Sequence, residues 1–123
     1  MYTLDTNAII YYLKGDEAVS SILTQIFSSN IPVYISTITQ VELLGFSNIA
    51  AKELEQIEDL LKTMATIPLD SNIARIAGFL RRTYRLQIAD SAIAATALFT
   101  GTKLITRDIR HFIKVPNLSV QKI

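Results

Sequence analysis

The chain has no cysteine. That excludes a disulfide scaffold, a thiol nucleophile and a zinc–thiolate site, and it fits a reducing compartment. Glycine and proline are sparse, at four and three of 123 residues. No glycine-rich phosphate loop, linker, low-complexity tract or internal repeat stands out. Long hydrophobic runs are missing too. The longest uncharged apolar stretch follows Asp90 and ends at Thr102, too short to span a bilayer. No basic residue precedes the first apolar run, so the start does not read as a secretion signal. A cytoplasmic protein is expected. The single histidine, His111, has no visible partner and reads as a surface or packing residue. The serines and threonines show no nucleophile arrangement.

Half of the residues are hydrophobic, enough for a substantial core. The length suits one domain over 1–123. Net charge is only +1, but it is unevenly spread. Residues 1–60 hold Lys14 and Lys52 against eight acids; residues 61–123 hold ten basic residues against Asp70, Asp90 and Asp108. The second half therefore presents either a polyanion-binding surface or a solvated helix face around Arg75, Arg81, Arg82 and Arg85.

Periodicity predicts alternating short strands and helices. Strands are expected at 2–4, 32–36, 103–106 and 118–121, with a short strand or connector at 66–69. Helices are expected from 6 to about 14, after an Asp16 cap, at 39–46, at 50–64, after an Asp70 cap, and from Asp90 to Gly101. This alternation implies an α/β three-layer sandwich with a central, mainly parallel sheet flanked by helices. Such sheets bind ligands beyond the carboxyl ends of their strands.

Four acids sit where that edge should be. Asp5 and Asp108 follow strands; Glu42 and Asp90 fall near helix starts. Each also has a plain structural role available. Asp5 can cap a helix, Thr39 and Glu42 have capping-box spacing, Asp90 can complement a helix dipole, and Asp108 can shape a turn. Gathered in one crevice, however, they demand a cation. Two unit charges about 4 Å apart repel by about 4 kcal/mol at an effective dielectric of ~20. All-oxygen ligands favour Mg²⁺ or Mn²⁺, which can activate water and stabilise charge on a phosphoryl oxygen.

Four segments, in order, carry a family resemblance. They are Leu4-Asp5-Thr6-Asn7, Ser36-Thr37-Ile38-Thr39-Gln40-Val41-Glu42-Leu43, Asp90-Ser91-Ala92-Ile93-Ala94-Ala95-Thr96-Ala97-Leu98, and Thr106-Arg107-Asp108-Ile109-Arg110-His111-Phe112. With them the chain resembles the PIN-domain ribonucleases, specifically VapC-type toxins, over nearly its whole length. The resemblance implies a metal-dependent endoribonuclease that cleaves RNA by in-line attack of water and leaves a 5′ phosphate. It implies an Mg²⁺ or Mn²⁺ site formed by Asp5, Glu42, Asp90 and Asp108. Thr6, Asn7 and Thr106 match polar positions that orient metal, water or phosphate. Relatives often carry glycine near Arg85 and proline where this chain has Ala89. Arg85, Arg107 and Arg110 are candidate contacts to RNA phosphates.

The resemblance further implies a cognate antitoxin and a homodimer. Val41, Leu43, Leu44, Phe46 and Ile49 are either core residues or the lining of a groove for an apolar antitoxin helix. Other readings are a housekeeping RNA-processing nuclease, a catalytically dead RNA-binding domain, and a receiver-type phosphoacceptor. The last needs paired acids after the first strand and a lysine after the fifth. Here Thr6-Asn7 follows Asp5, and Lys103 precedes its strand.

Overall fold

The computed structural model describes residues 1–123. Five parallel strands form one sheet in the order β3-β2-β1-β4-β5. They are β1 (Tyr2–Leu4), β2 (Val33–Ser36), β3 (Ala65–Ile67), β4 (Lys103–Thr106) and β5 (Val120–Lys122). Paired helices join the first four: α1 (Thr6–Leu13) and α2 (Glu17–Ser28), α3 (Thr37–Leu44) and α4 (Ala51–Leu61), α5 (Ser71–Tyr84) and α6 (Ile88–Thr100). The chain winds outward from β1 to β3, then crosses back to place β4 on the other side of β1. The connections therefore diverge between β1 and β4, which is where open parallel sheets hold ligands.

Alternation along the strands fills two cores. In β4, Ile105 joins Leu4, Ile9, Leu23 and Ile35 on one face, while Leu104 joins Ile73, Leu80, Ile93 and Phe112 on the other. Helix α6 is buried along most of its length, and its alanines let it lie close to α5 and the central strands. Beneath it, the hydroxyls of Thr3 and Thr102 bond at 2.6 Å, so their burial leaves no polar atom unpaired.

The local caps are as the sequence indicates at two helices. Asp16 accepts from the Val19 amide at 3.0 Å, and Asp70 from the Ile73 amide at 2.9 Å. Several boundaries differ, among them the limits of β3, the end of α4 and the following three. Helix α3 starts at Thr37 under a Ser36 cap that accepts from the Ile38 amide, so Thr39 and Glu42 form no capping box. Helix α6 starts at Ile88, leaving Asp90 inside its first turn rather than at its head. β5 begins two residues later than its apolar pattern suggests, because Val120 pairs with Leu104.

Candidate active site

Asp5 directly follows β1. Its amide extends the ladder to the Ile105 carbonyl at 2.9 Å, and its own carbonyl accepts the Ala8 amide that starts α1. The backbone thus holds Asp5 at the switch point. Its side chain makes no capping bond to α1. Instead it accepts the Thr106 hydroxyl at 2.8 Å, from the end of neighbouring β4. Asp5 is only 4% exposed and has no cationic partner. Burial pushes its pKa up to about 6, against the pull of the Thr106 hydroxyl; Asp90 and Glu42 push it the same way.

Glu42 enters from the second turn of α3. Its Oε1 accepts the Thr6 hydroxyl at 2.6 Å, and that hydroxyl also lies 3.0 Å from the Thr39 hydroxyl. Thr6 and Thr39 thus tie α1 to α3 across the pocket. Asp90 faces the same space from α6. Burial raises its pKa, His111 opposes the rise, and Glu42 and Asp108 add to it. Asp108 follows β4 and initiates the 3₁₀ turn Ile109–His111 by accepting the Arg110 amide. Thr106 closes the loop, since its hydroxyl accepts the Asp108 amide at 3.1 Å. The charges of Asp90 and Glu42 therefore reach Asp5, and those of Glu42 and Asp108 reach Asp90. No three of the acids and histidine converge on a common ion position in this arrangement.

Asp108 is the acid whose charge is already matched. Arg110 reaches it with two parallel bonds, Nε to Oδ1 at 3.0 Å and Nη2 to Oδ2 at 2.9 Å. That guanidinium holds the Asp108 carboxyl well below the usual carboxylate range. Arg107 turns the other way. It pairs with Asp16 at 3.3 Å and stacks on the Tyr11 ring with 4.8 Å to the centroid. Arg107 and Arg110 are thus engaged within the chain, whereas Arg85, at the end of α5, has no carboxylate partner. Asn7 is exposed at the second position of α1.

His111 is the residue that the sequence argument misjudged. It is not partnerless: its Nε2 lies 3.4 Å from Asp108 and its Nδ1 3.8 Å from Asp90. The Asp108–His111 spacing within one turn carried that signal. Lys103 opens β4 at the amino edge, remote from the acids beyond the carboxyl edge, which disposes of the receiver geometry.

Buried, cation-poor Asp5, with Glu42 and Asp90 acting on its charge, offers oxygen donors of the kind that suit a hard divalent cation, and in this arrangement they stand short of a common ion position. Fold and site together define a parallel-sheet α/β protein with an acidic pocket at its topological switch point. The chain belongs to the PIN domain family, whose model matches residues 2–118. It is 29% identical to Ribonuclease VapC19 of Mycobacterium tuberculosis, over 96% of this chain and 97% of the relative. A toxin–antitoxin complex from Klebsiella pneumoniae contains a chain 26% identical, matched over the full length of both with a TM-score of 0.82. The VapBC2 structure from Rickettsia felis, solved with a DNA fragment from its promoter, shares the fold. Its TM-score is 0.85 at 23% identity, over 99% of this chain and 98% of that one.

Proposed function

We propose that this chain is an Mg²⁺- or Mn²⁺-dependent endoribonuclease and the toxin of a toxin–antitoxin pair. The observation that carries the chemistry is Asp5: a buried carboxylate with no cation beside it and two acids pressing on its field. Asp5, Glu42 and Asp90 would hold the ion, with Asp108 joining when Arg110 yields one of its oxygens. A divalent ion supplies Lewis acidity at a phosphoryl oxygen and makes water a stronger nucleophile. The protein does the rest. Thr106 holds Asp5 and Thr6 holds Glu42, each by a hydrogen bond, and exposed Asn7, next to Thr6 in the chain, would be free to meet a substrate oxygen. The similarity to a named ribonuclease supports RNA as substrate.

The antitoxin reading rests on the match to toxin–antitoxin complexes and on an apolar hollow of about 520 Å³. Ile10, Leu13, Leu43, Phe46, Ile49 and Ile57 line it. Of the apolar residues in and just after α3, Leu43 is core, while Val41, Leu44 and Phe46 are exposed. An amphipathic helix presenting apolar residues at i, i+3, i+4 and i+7 fits such a groove. No helix of the chain is long and apolar enough to cross a membrane.

Incubation of total RNA with the chain in Mg²⁺ or Mn²⁺, followed by mapping of 5′ ends, tests the proposal. Discrete cuts with 5′ phosphates are expected, abolished by chelator and reduced at least about 100-fold in Asp5→Asn. A folded chain that cuts no RNA with either ion would refute it.

A further inference from the structure

Helix α5 and its cap carry Arg75, Arg81, Arg82 and Arg85, and no acid lies between Asp70 and Asp90. The ion pairs of the chain involve Arg107, Arg110 and His111, none of these four. Like charges one turn apart repel, so the stripe does not stabilise the helix by pairing. The helix dipole accounts for positive charge in the last turn, but not for the aromatic group beside it. Phe79 is 47% exposed. The Arg82 guanidinium lies over its ring at 5.5 Å from the centroid, and Tyr84 meets it edge-on at 6.4 Å. Arg81 is spoken for, since it donates to the Leu86 carbonyl at 3.0 Å and fixes the turn after α5. Arg82 and Arg85 border an open hollow of about 590 Å³ that Arg81, Leu86 and Gln87 also line. Gln87 is the cap residue of α6, and Asp90 follows three residues later in the first turn, about 4.5 Å further along the helix axis.

We propose that the α5 end is the substrate track: an unpaired RNA base stacks against the Phe79–Arg82 pair. Arg82 and Arg85 take the adjoining phosphates and lead the strand to Asp90. Every base offers a π-face, and only an unpaired strand exposes it, so the track selects single-stranded RNA without reading sequence. The inference rests on the nuclease reading above.

The test uses the Asp5→Asn chain, so that binding is measured without cleavage, and a labelled RNA of about 12 nucleotides with no self-pairing. Phe79→Ala is expected to weaken binding about tenfold and leave the salt dependence alone. Arg82→Ala with Arg85→Gly is expected to weaken it and to flatten the log–log salt slope by about 1.4, the share of two phosphates. Arg85→Gly also relieves a left-handed backbone, so a loss of binding with an undiminished Tm is not a loss of fold. Unchanged affinity and slope in both variants would overturn the proposal. So would a paired RNA that binds as tightly as the unpaired one, or no binding of the unpaired strand at all. If Phe79→Ala abolishes self-association and spares RNA affinity, the face belongs to a second copy and the proposal fails. Cleavage of the same RNA by the chain with Asp5 intact, in Mn²⁺, tests the nuclease reading separately. Cleavage together with unaltered variant binding sinks only the track.

Discussion

Asp5 shows how one side chain couples stability to function. Its folded pKa, about 6, stands above the ordinary 3.8 because burial disfavours its charged form. The stability this group contributes is therefore fully present below about pH 4 and is lost as pH rises through about 6. At neutral pH its ionised form costs about 3 kcal/mol. Asp90 is shifted the same way by burial. Asp16 and Asp108 run opposite: the Val19 amide lowers the first and Arg110 the second, so their contributions fade in acid. In chelator, the Tm of the chain is expected to rise from about pH 7.5 to about pH 5 and fall again below about 4. Asp5→Asn should flatten the first limb and melt higher at neutral pH. A calorimetric Tm that is level between those two pH values would contradict a buried, unpartnered charge. Thr106→Val tests the other side of the same bond. It strands a buried Asp5 oxygen and the Asp108 amide, and is expected to destabilise by about 1–3 kcal/mol in denaturant titration. Asp5 and Asp108 stood out in the sequence because strand-following positions in a parallel sheet share one edge, and Glu42 and Asp90 because they fall near helix starts. The contact of His111 with Asp90 was not legible, because it joins different elements, the turn after β4 and α6.

At the scale of elements, α5 and α6 leave their last turns alike, with different residues at the turn. Gly101 ends α6 at φ +66° and Arg85 ends α5 at φ +58°. Glycine has no Cβ to strain in that region, whereas an L side chain is disfavoured by roughly 1–2 kcal/mol. Arg85→Gly is therefore expected to raise the denaturant midpoint by about 1 kcal/mol in stability, with the m-value unchanged. Gly101→Ala, where no neighbouring atom lies in the way, should lower it by a similar amount through the backbone alone. If both substitutions prove neutral, the left-handed exits are not strained. If Arg85→Gly stabilises as expected, Arg85 persists at an unfavourable position for a reason outside helix stability, which is what a phosphate contact would be. Local signals of this kind were readable: Asp16, Asp70, Gly15 and Gly101 act within a few residues of themselves. The start of α3 was not. Thr39 and Glu42 imitate a capping box, but the Thr6 hydroxyl from α1 claims Glu42, and Ser36 caps the helix earlier. The limits of β3 and β5 were equally hidden. Each is a three-residue edge strand, defined by its neighbour's register more than by its own side chains.

Across the whole molecule, acid site, arginine track and apolar groove use different residues, in part of the same helices, and can be varied separately. The groove draws on α1, α4 and the segment after α3, and its lip is Phe46, which is 50% exposed. A half-exposed ring contributes little to the isolated fold. Covering it with a partner helix removes apolar area from water at about 25 cal/mol per Å². Phe46→Ala should therefore leave the Tm of the free chain within a few degrees and leave RNA cleavage intact, because Phe46 takes no part in the hydrogen bonds and ion pairs that hold the acids. The same change should weaken capture of the co-expressed antitoxin about tenfold or more, as truncating a central aromatic anchor does. Titration of the purified pair, with and without the substitution, measures it. Equal affinity would move the antitoxin site off this groove. A matching loss of cleavage would mean that groove and pocket form one cooperative unit, through Leu43 of α3, whose neighbour Glu42 faces the acids.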